Sequence, residues 1–280
     1  MCLATNKQQE ELMQQVDWIG KEKPHAPREQ ELEGIQTILA TLEASEIDTI
    51  RKIDSSLLIR HLRAQKGNAV RAVPAIRSTL AFRQNFFGNL SVDSPELRQR
   101  IAADVRTGRC YIRGYDRDGR AIAMSKCVPV HFQNDMSTEQ YLLWTVEKAA
   151  RCTRRTSGLE KFICVLYYCN YCSTYESSFG IAKRFVTNLQ RHYPEIAYKV
   201  YIVDAPVAFR VFYAIVKPFI DLDTRSKVVF CSASDMHSVM ETAVEDPDTL
   251  EPFLGGTKSV RDFDAEEYLN IPFDKTFDES

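Results

Sequence analysis

The spacing of apolar and polar positions changes about a third of the way along the chain. Over residues 29–43, Leu32, Ile35, Leu39 and Leu42 recur at helical intervals. Asp54-Ser55-Ser56 offers caps for a second helix bearing Leu57, Leu58, His61 and Leu62. A third helix is expected from about residue 68 to 86, with Val73, Ile76, Leu80 and Arg83 in register. Pro74 falls near its first turn, where a missing N–H matters least. Asp93-Ser94-Pro95 opens a fourth, with Pro95 at its first position and Gly108 at its end. Residues 1–28 are rich in Gln and Glu, end in Pro24 and Pro27, and read as a flexible polar tail.

Strand signals then alternate with helical ones. Residues 110–115, the turn Asp116-Arg117-Asp118-Gly119 and residues 120–125 read as a β-hairpin. Ser137-Thr138-Glu139-Gln140 resembles a capping box for a helix to about residue 156. Strands are expected at 162–168, 199–203 and 227–231, and helices at 175–191, 207–220 and 236–244. This order implies βαβ crossovers and an α/β fold with a mostly parallel sheet. There is no internal repeat or low-complexity block.

Composition narrows the class. The 280 residues suffice for one large domain or two small ones, and 44% hydrophobic with 26% charged residues excludes wholesale disorder. Lys plus Arg number 36 against 38 acids, so nothing signals nucleic-acid binding. No apolar run approaches the ~20 residues of a membrane helix. Residues 1–15 lack the apolar core of a signal peptide, so a cytoplasmic location is expected. Charge is uneven: residues 1–50 carry ten acids and four bases, 51–110 carry four acids and twelve bases, and 241–280 carry twelve acids and three bases. Such a basic segment suits anionic lipid headgroups, or a helical surface paired with the acidic end.

Catalytic motifs are absent. There is no G-x-S-x-G elbow, no Walker loop and no G-x-G-x-x-G. Cys152 is followed by Thr153-Arg154-Arg155-Thr156, but Gly158 stands where a cysteine phosphatase needs arginine. The histidines at 25, 61, 131, 192 and 237 lack metal spacing, and His61 reads as a packing residue. Cys169-x-x-Cys172 has no second pair to complete a zinc site, so buried thiols are expected. The expectation is a non-enzyme, without catalytic residues or a metal.

The segment 207–220 is unusual. Phe209, Val211, Phe212, Tyr213, Ile215, Val216, Phe219 and Ile220 cover nearly its whole circumference, and Arg210 and Lys217 share one stripe. Such a helix is either buried on every side or faces lipid, and the pattern leaves both open.

Leu58-Ile59-Arg60-His61-Leu62-Arg63-Ala64-Gln65-Lys66, the DRDGR at 116–120, YPE at 193–195, YIVDAP at 201–206, KPF at 217–219, DTRSKVVF at 223–230 and LGGT at 254–257 follow one another. In that order they resemble the CRAL-TRIO family, in particular its phosphatidylinositol- and phosphatidylcholine-transfer members, over about residues 30–260. The resemblance implies a helical N-terminal lobe at 29–108, a lipid-binding lobe at 109–260 whose mostly parallel sheet floors a hydrophobic lipid cavity, and an acidic C-terminal tail at 261–280. It makes 207–220 a mobile gate, with Phe209, Phe212, Tyr213, Val216 and Phe219 lining it. It assigns a phosphatidylinositol headgroup to Arg63, Glu195, Thr224 and Lys227, against the alternative of a structural Glu195–Lys227 ion pair. Ile196 replaces the basic residue that follows the family's Y-P-E.

The phosphatidylcholine positions fall on Ile112, Ala123, Phe162 and Cys164, which offer no aromatic cage for a quaternary ammonium. Tyr167, Tyr168 and Cys164 form a candidate second-ligand set: haem ligation, a sterol and plain packing are the alternatives. No cofactor beyond a bound lipid is expected. The partners implied are phosphatidylinositol and, transiently, internal membranes, with a monomeric protein. A competing reading is an occupancy sensor or scaffold that engages a phosphoinositide kinase.

Overall fold

The computed structural model describes residues 6–19, 25–88, 91–126, 135–168, 179–220, 222–244, 250–254, 256 and 262–279. The chain forms two compact units, Met1–Ser91 with Gly158–Glu160 and Val186–Ile196, and Val92–Ser157 with Lys161–Phe185 and Ala197–Ser280.

The first unit is helical. It comprises α1 (Asn6–Ile19), α2 (Arg28–Thr41), α3 (Ala44–Ile53), α4 (Ser56–Ala64), α5 (Ala69–Phe87) and the later turns of a helix numbered α8 below. Local chemistry starts these helices. Glu43 and Glu46 make a reciprocal capping box for α3, and the Asn68 side chain accepts from Arg71 N at 3.0 Å to cap α5. Asp54 Oδ1 takes both the N–H and hydroxyl of Ser56 at the start of α4. Pro74 lies in the second turn of α5, deeper than its spacing suggested. Leu12, Ile35, Ile38, Leu42, Ile47, Ile50, Leu58, Leu62 and Ile76 close one apolar core.

Residues 1–28 are therefore not a tail throughout. Leu12 of α1 is fully buried, Gln8 Nε2 donates to Asp48 at 3.0 Å, and Arg51 pairs with Glu11 at 2.5 Å. One deeply inserted leucine among glutamines leaves little periodicity to read, but it docks the helix. Helix α3 was missed for a similar reason: only Ile47 and Ile50 are buried among its ten residues.

The second unit holds a five-stranded sheet in the order β1 (Cys110–Tyr115), β2 (Ala121–Lys126), β3 (Phe162–Tyr167), β4 (Ala197–Val203), β5 (Val228–Cys231). β1 and β2 form the expected antiparallel hairpin, and the other pairings are parallel. Gly119 in the hairpin turn has φ +83, and a Cβ there would come within 2.8 Å of Ser157 Cβ, so only glycine fits. Around the sheet lie α6 (Pro95–Val105), α7 (Asp135–Ser157), α8 (Phe179–His192), α9 (Val207–Val216), α10 (Leu222–Ser226), α11 (Ala233–Ala243) and α12 (Ala265–Asn270). The fold class is α/β with a mostly parallel sheet.

Two expectations change here. Helix α7 begins at Asp135, so Ser137 and Thr138 do not cap it; their hydroxyls donate to the Asp104 carboxylate at 2.7 and 2.8 Å. Residues 262–279, expected to belong to an acidic tail, are packed. Tyr268, Phe273 and Phe277 are buried, Trp144 meets Tyr268 and Phe273 edge-on, and Arg113 pairs with Asp278 at 3.2 Å. The aromatic residues between the acids supply the burial, and arginines of the second unit neutralise the charge. This segment also closes the sheet edge. Tyr268 Oη accepts from Ile112 N at 3.0 Å, while Tyr141 Oη accepts from Cys110 N at 2.8 Å and donates to Cys110 O.

Candidate ligand-binding site

Strand register assigns side chains to the two faces of the sheet. Ile112, Ala123, Cys164, Val200 and Val228 stand in one row across five strands, and Cys110, Ser125, Leu166, Ile202 and Phe230 form the next row of that face. On β1 and β2 this face is mostly sealed. On β3 to β5 it is sealed only at Ile202: Cys164, Leu166, Val200, Val228 and Phe230 are half-buried, whereas on β3 the opposite face is closed at Ile163 and Val165. Inner strands of a parallel sheet are ordinarily covered on both sides. Burial nonetheless pushes the Cys164 thiol up to about 12, so its surroundings are apolar.

Helix α9 stands over this open apolar face. The Tyr213 ring meets Phe230 at 5.2 Å, and Phe209 lies 4.9 Å from Tyr168, 5.9 Å from Phe212 and 6.5 Å from Phe230. Val216 is buried at its end. The opposite stripe is bare: Val207, Val211 and Ile215, spaced four apart, are 78%, 55% and 53% exposed. Leu222 of α10 is exposed as well, and Arg210 and Lys217 lie at the surface. The helix is therefore not a buried crossover. Pro218 cannot donate an N–H, so α9 gives way after Val216 to a 3₁₀ turn over Lys217–Phe219, and the segment is not one continuous helix to 220. The side chain of Phe219 lies outside the described residues. At the other end Asp204, with φ 52, turns the chain out of β4 and accepts from Ala233 N at 3.2 Å.

The candidate second-ligand set is split, with Tyr167 turned away from Cys164 while Tyr168 packs under α9 on the Cys164 side. Tyr167 pairs in register with Lys126 and Val203 on the face opposite Cys164, and its ring meets Phe253 at 4.4 Å with the planes tilted by 40°. Tyr168 instead packs under α9. The two-residue period of a strand separates neighbours that sequence places side by side. By contrast, Ile112, Ala123 and Cys164, matched by spacing alone to choline-binding positions, are adjacent in register.

The headgroup candidates divide between the units. In the first, Arg63 is buried. Its Nε and Nη2 donate to the two Glu31 oxygens at 2.8 and 2.9 Å, and Nη1 meets Glu160 at 3.4 Å. Burial works to raise the Glu31 carboxyl, but the Arg63 hydrogen bonds hold it below its usual range. Arg63 thus sits in a buried ionic cluster with Glu31 and Glu160. Its partners lie 32 and 97 residues away, where no motif could reveal them. Glu195 is half-buried, at φ 58, and the Pro194 carbonyl before it accepts from Arg60 Nη1 at 3.3 Å. In the second unit, Thr224 and Lys227 flank the start of β5. Lys227 Nζ pairs with Asp223 at 2.5 Å, and its backbone oxygen accepts from Val200 N at 2.9 Å.

His61 is the packing residue its pattern indicated. Thr79 Oγ1 lies 3.2 Å from His61 Nε2 and 3.1 Å from His192 Nδ1. Burial pushes the two imidazoles down to about 3 and about 4. Cys169 and Cys172 lie outside the described residues. Among the described residues no His, Cys, Asp or Glu group could hold a metal, and no helix is long and apolar enough to cross a membrane.

The sequence profile of the CRAL/TRIO domain matches residues 105–256, a span that contains all five strands and α9. The chain belongs to the CRAL/TRIO domain family. A CRAL-TRIO domain-containing protein of Schizosaccharomyces pombe is 27% identical over 180 residues, 64% of this chain and 17% of the relative. The phosphatidylinositol transfer protein PDR17 of Saccharomyces cerevisiae is 25% identical over 187 residues, 64% of this chain and 53% of the relative. The chain thus spans about half or less of these curated relatives' length. Among solved structures, Sfh5 superposes with a TM-score of 0.53 at 19% identity, covering 66% of this chain and 68% of that one, which establishes a shared fold. Within the CRAL/TRIO span, α9 and the open sheet face are the features that set a binding surface apart from a packed core.

Proposed function

We propose that this CRAL/TRIO protein binds a lipid against the open face of β3–β5, and that α9 is the gate through which the lipid passes. The observation that carries the reading is the two-faced helix: aromatic residues turn toward the sheet, while Val207, Val211 and Ile215 turn outward. A phospholipid with ~30 acyl carbons faces tens of kcal/mol on entering water, at about 0.8 kcal/mol per CH₂. An apolar protein surface that closes over the chains removes most of that barrier. An exposed aliphatic stripe flanked by Arg210 and Lys217 suits a bilayer interface, where the cations meet lipid phosphates.

Phosphatidylinositol is the lipid favoured. The name of PDR17 supports it, as does the resemblance that assigns Glu195, Thr224 and Lys227 to its headgroup. Phosphatidylcholine is disfavoured, because the row Ile112, Ala123 and Cys164 presents neither an aromatic face nor a hydroxyl. The protein acts as a carrier rather than an enzyme, moving through the cytoplasm and touching internal membranes transiently.

Lipid mass spectrometry on extracts of the purified chain, with a visible absorption spectrum, tests the ligand class directly. An inositol phospholipid is the expected species; a sterol alone, or a Soret band, would replace this reading. Transfer of labelled lipid between vesicles tests the headgroup. Lys227→Ala should abolish inositol-lipid transfer, and Thr224→Ala reduce it, with thermal melts unchanged. Normal transfer by Lys227→Ala refutes the headgroup assignment.

A further inference from the structure

Lys227, the cation proposed above to meet a lipid phosphate, is already matched by a carboxylate from the short helix before it. Asp223 Oδ2 stands 2.5 Å from Lys227 Nζ, one helical turn away across α10. The lysine side chain is 14% exposed and the aspartate 57%, so the carboxylate is the more accessible of the two. A headgroup that reaches the ammonium therefore meets Asp223 as well. The backbone beneath the pair is held from several sides. Arg225 Nε donates to the Ile220 carbonyl at 2.7 Å, and its Nη2 to the Pro218 carbonyl at 3.2 Å. Ser226 Oγ donates to the Asp223 carbonyl at 2.6 Å. Lys227 N donates to the Thr224 carbonyl at 3.2 Å, and Lys227 O accepts from Val200 N at 2.9 Å. All of these groups belong to the second unit. With the main chain fixed in this way, Asp223 leaves Lys227 only by turning its own side chain.

An ammonium has three donors, so Lys227 can hold a phosphate and a carboxylate together. The two anions then lie side by side next to a mostly buried ammonium, where like charges repel more than they do in water. A phosphate diester with one negative charge bears this cost least. A headgroup with a further phosphate on its ring bears it several times over. We propose that Asp223 is a specificity-determining residue that sets the charge accepted at Lys227: an inositol phospholipid with a single phosphate enters, and one phosphorylated on the ring is turned away. The proposal rests on Lys227 being a headgroup residue, as proposed above.

The full chain is loaded from phosphatidylcholine vesicles that contain either phosphatidylinositol or its ring monophosphate, and bound lipid is quantified by mass spectrometry. The wild type should take up phosphatidylinositol and little of the monophosphate. Asp223→Asn and Asp223→Ala should raise uptake of phosphatidylinositol about threefold and of the monophosphate about tenfold or more, as for a neighbouring charge partly screened by water. Asp223→Glu, which keeps the charge, should keep the wild-type discrimination. Added salt should narrow the gap between wild type and Asp223→Asn, which a purely structural role would not do. Melts should barely move, because Asp223 is more than half exposed. Equal loading of the two lipids by the wild type, or Asp223→Asn and Asp223→Ala loading neither lipid better than the wild type, overturns the proposal. Lys227→Ala separates the two layers. If it loads phosphatidylinositol normally, the headgroup assignment fails and the proposal with it. If it loses loading while both neutral Asp223 variants keep the wild-type discrimination, only the role of Asp223 fails.

Discussion

Helices α7 and α9 invert the usual relation between composition and burial. α7 carries Thr138, Glu139, Gln140, Thr145, Glu147, Lys148 and Thr153, and every one of them is buried. α9, VAFRVFYAIV, is far more apolar, yet only Val216 is buried. The difference lies in available partners. Several polar groups of α7 that leave water find specific bonds: Thr138 donates to Asp104, Thr153 Oγ1 accepts from Ala121 N at 2.9 Å, and Lys148 Nζ donates to the carbonyls of Pro272 and Phe273 at 3.0 and 3.3 Å. Lys148 also faces the rings of Trp144, Tyr268 and Phe273, and burial draws its pKa down to about 8. α9 has no protein partner for its outer stripe among the described residues. Under the function proposed above, a lipid phase is the partner that its composition fits.

The strongest test of this contrast charges the outer stripe. Val211→Asp with Ile215→Asp should leave the melt almost unmoved, because both side chains already face solvent. An ionised Asp opposes membrane insertion by about 2.5–3.5 kcal/mol, so vesicle-to-vesicle transfer should fall by about tenfold or more. Equal transfer by the double variant would remove the membrane from the account of α9.

The converse holds for α7. Lys148→Ala should cost about 2–3 kcal/mol in denaturant unfolding, because two buried carbonyls and three ring contacts lose their partner. Transfer should decline only as far as folding does. A variant that folds normally but fails to transfer would make Lys148 functional and break the comparison from the other side.

A smaller effect asks whether polar burial in the first unit follows the same rule. His61 and His192 are held neutral by burial, with folded pKa values below the ordinary 6.5. The unfolded chain therefore binds more protons as pH drops, so their contribution is full above about 6.5 and is lost as pH falls toward 4 and 3. Between about pH 7.5 and 5.5 each should forfeit about 1.4 kcal/mol. Unfolding free energies at the two pH values check this, and a flat profile would mean that the imidazoles are already protonated in the folded state.

Much of this was visible in the pattern. The spacing of apolar residues located the hairpin, the three further strands and most helices within a few residues, and Ser94 and Gly119 act where their chemistry suggested. The segment 207–220 was conspicuous because no one-sided packing satisfies eight apolar residues around a helix. Other features were invisible for definite reasons. Leu12 docks α1 with a single large apolar insertion, below what periodicity detects. Glu31 and Glu160 join Arg63 across long stretches of chain. Tyr167 and Cys164 read as neighbours, but a strand turns them to opposite faces.

The sequence by itself determined the order of most helices and strands, the mixed α/β class, and the presence of one helix too apolar for its place. Those properties follow from local backbone preferences and from the period at which side chains repeat. Only the tertiary structure decided that α9 keeps its aliphatic stripe in solvent and that Arg63 sits in a buried ionic cluster. Burial and charge pairing depend on which groups share a volume once the chain has closed, and residues far apart in sequence carry no local trace of that meeting.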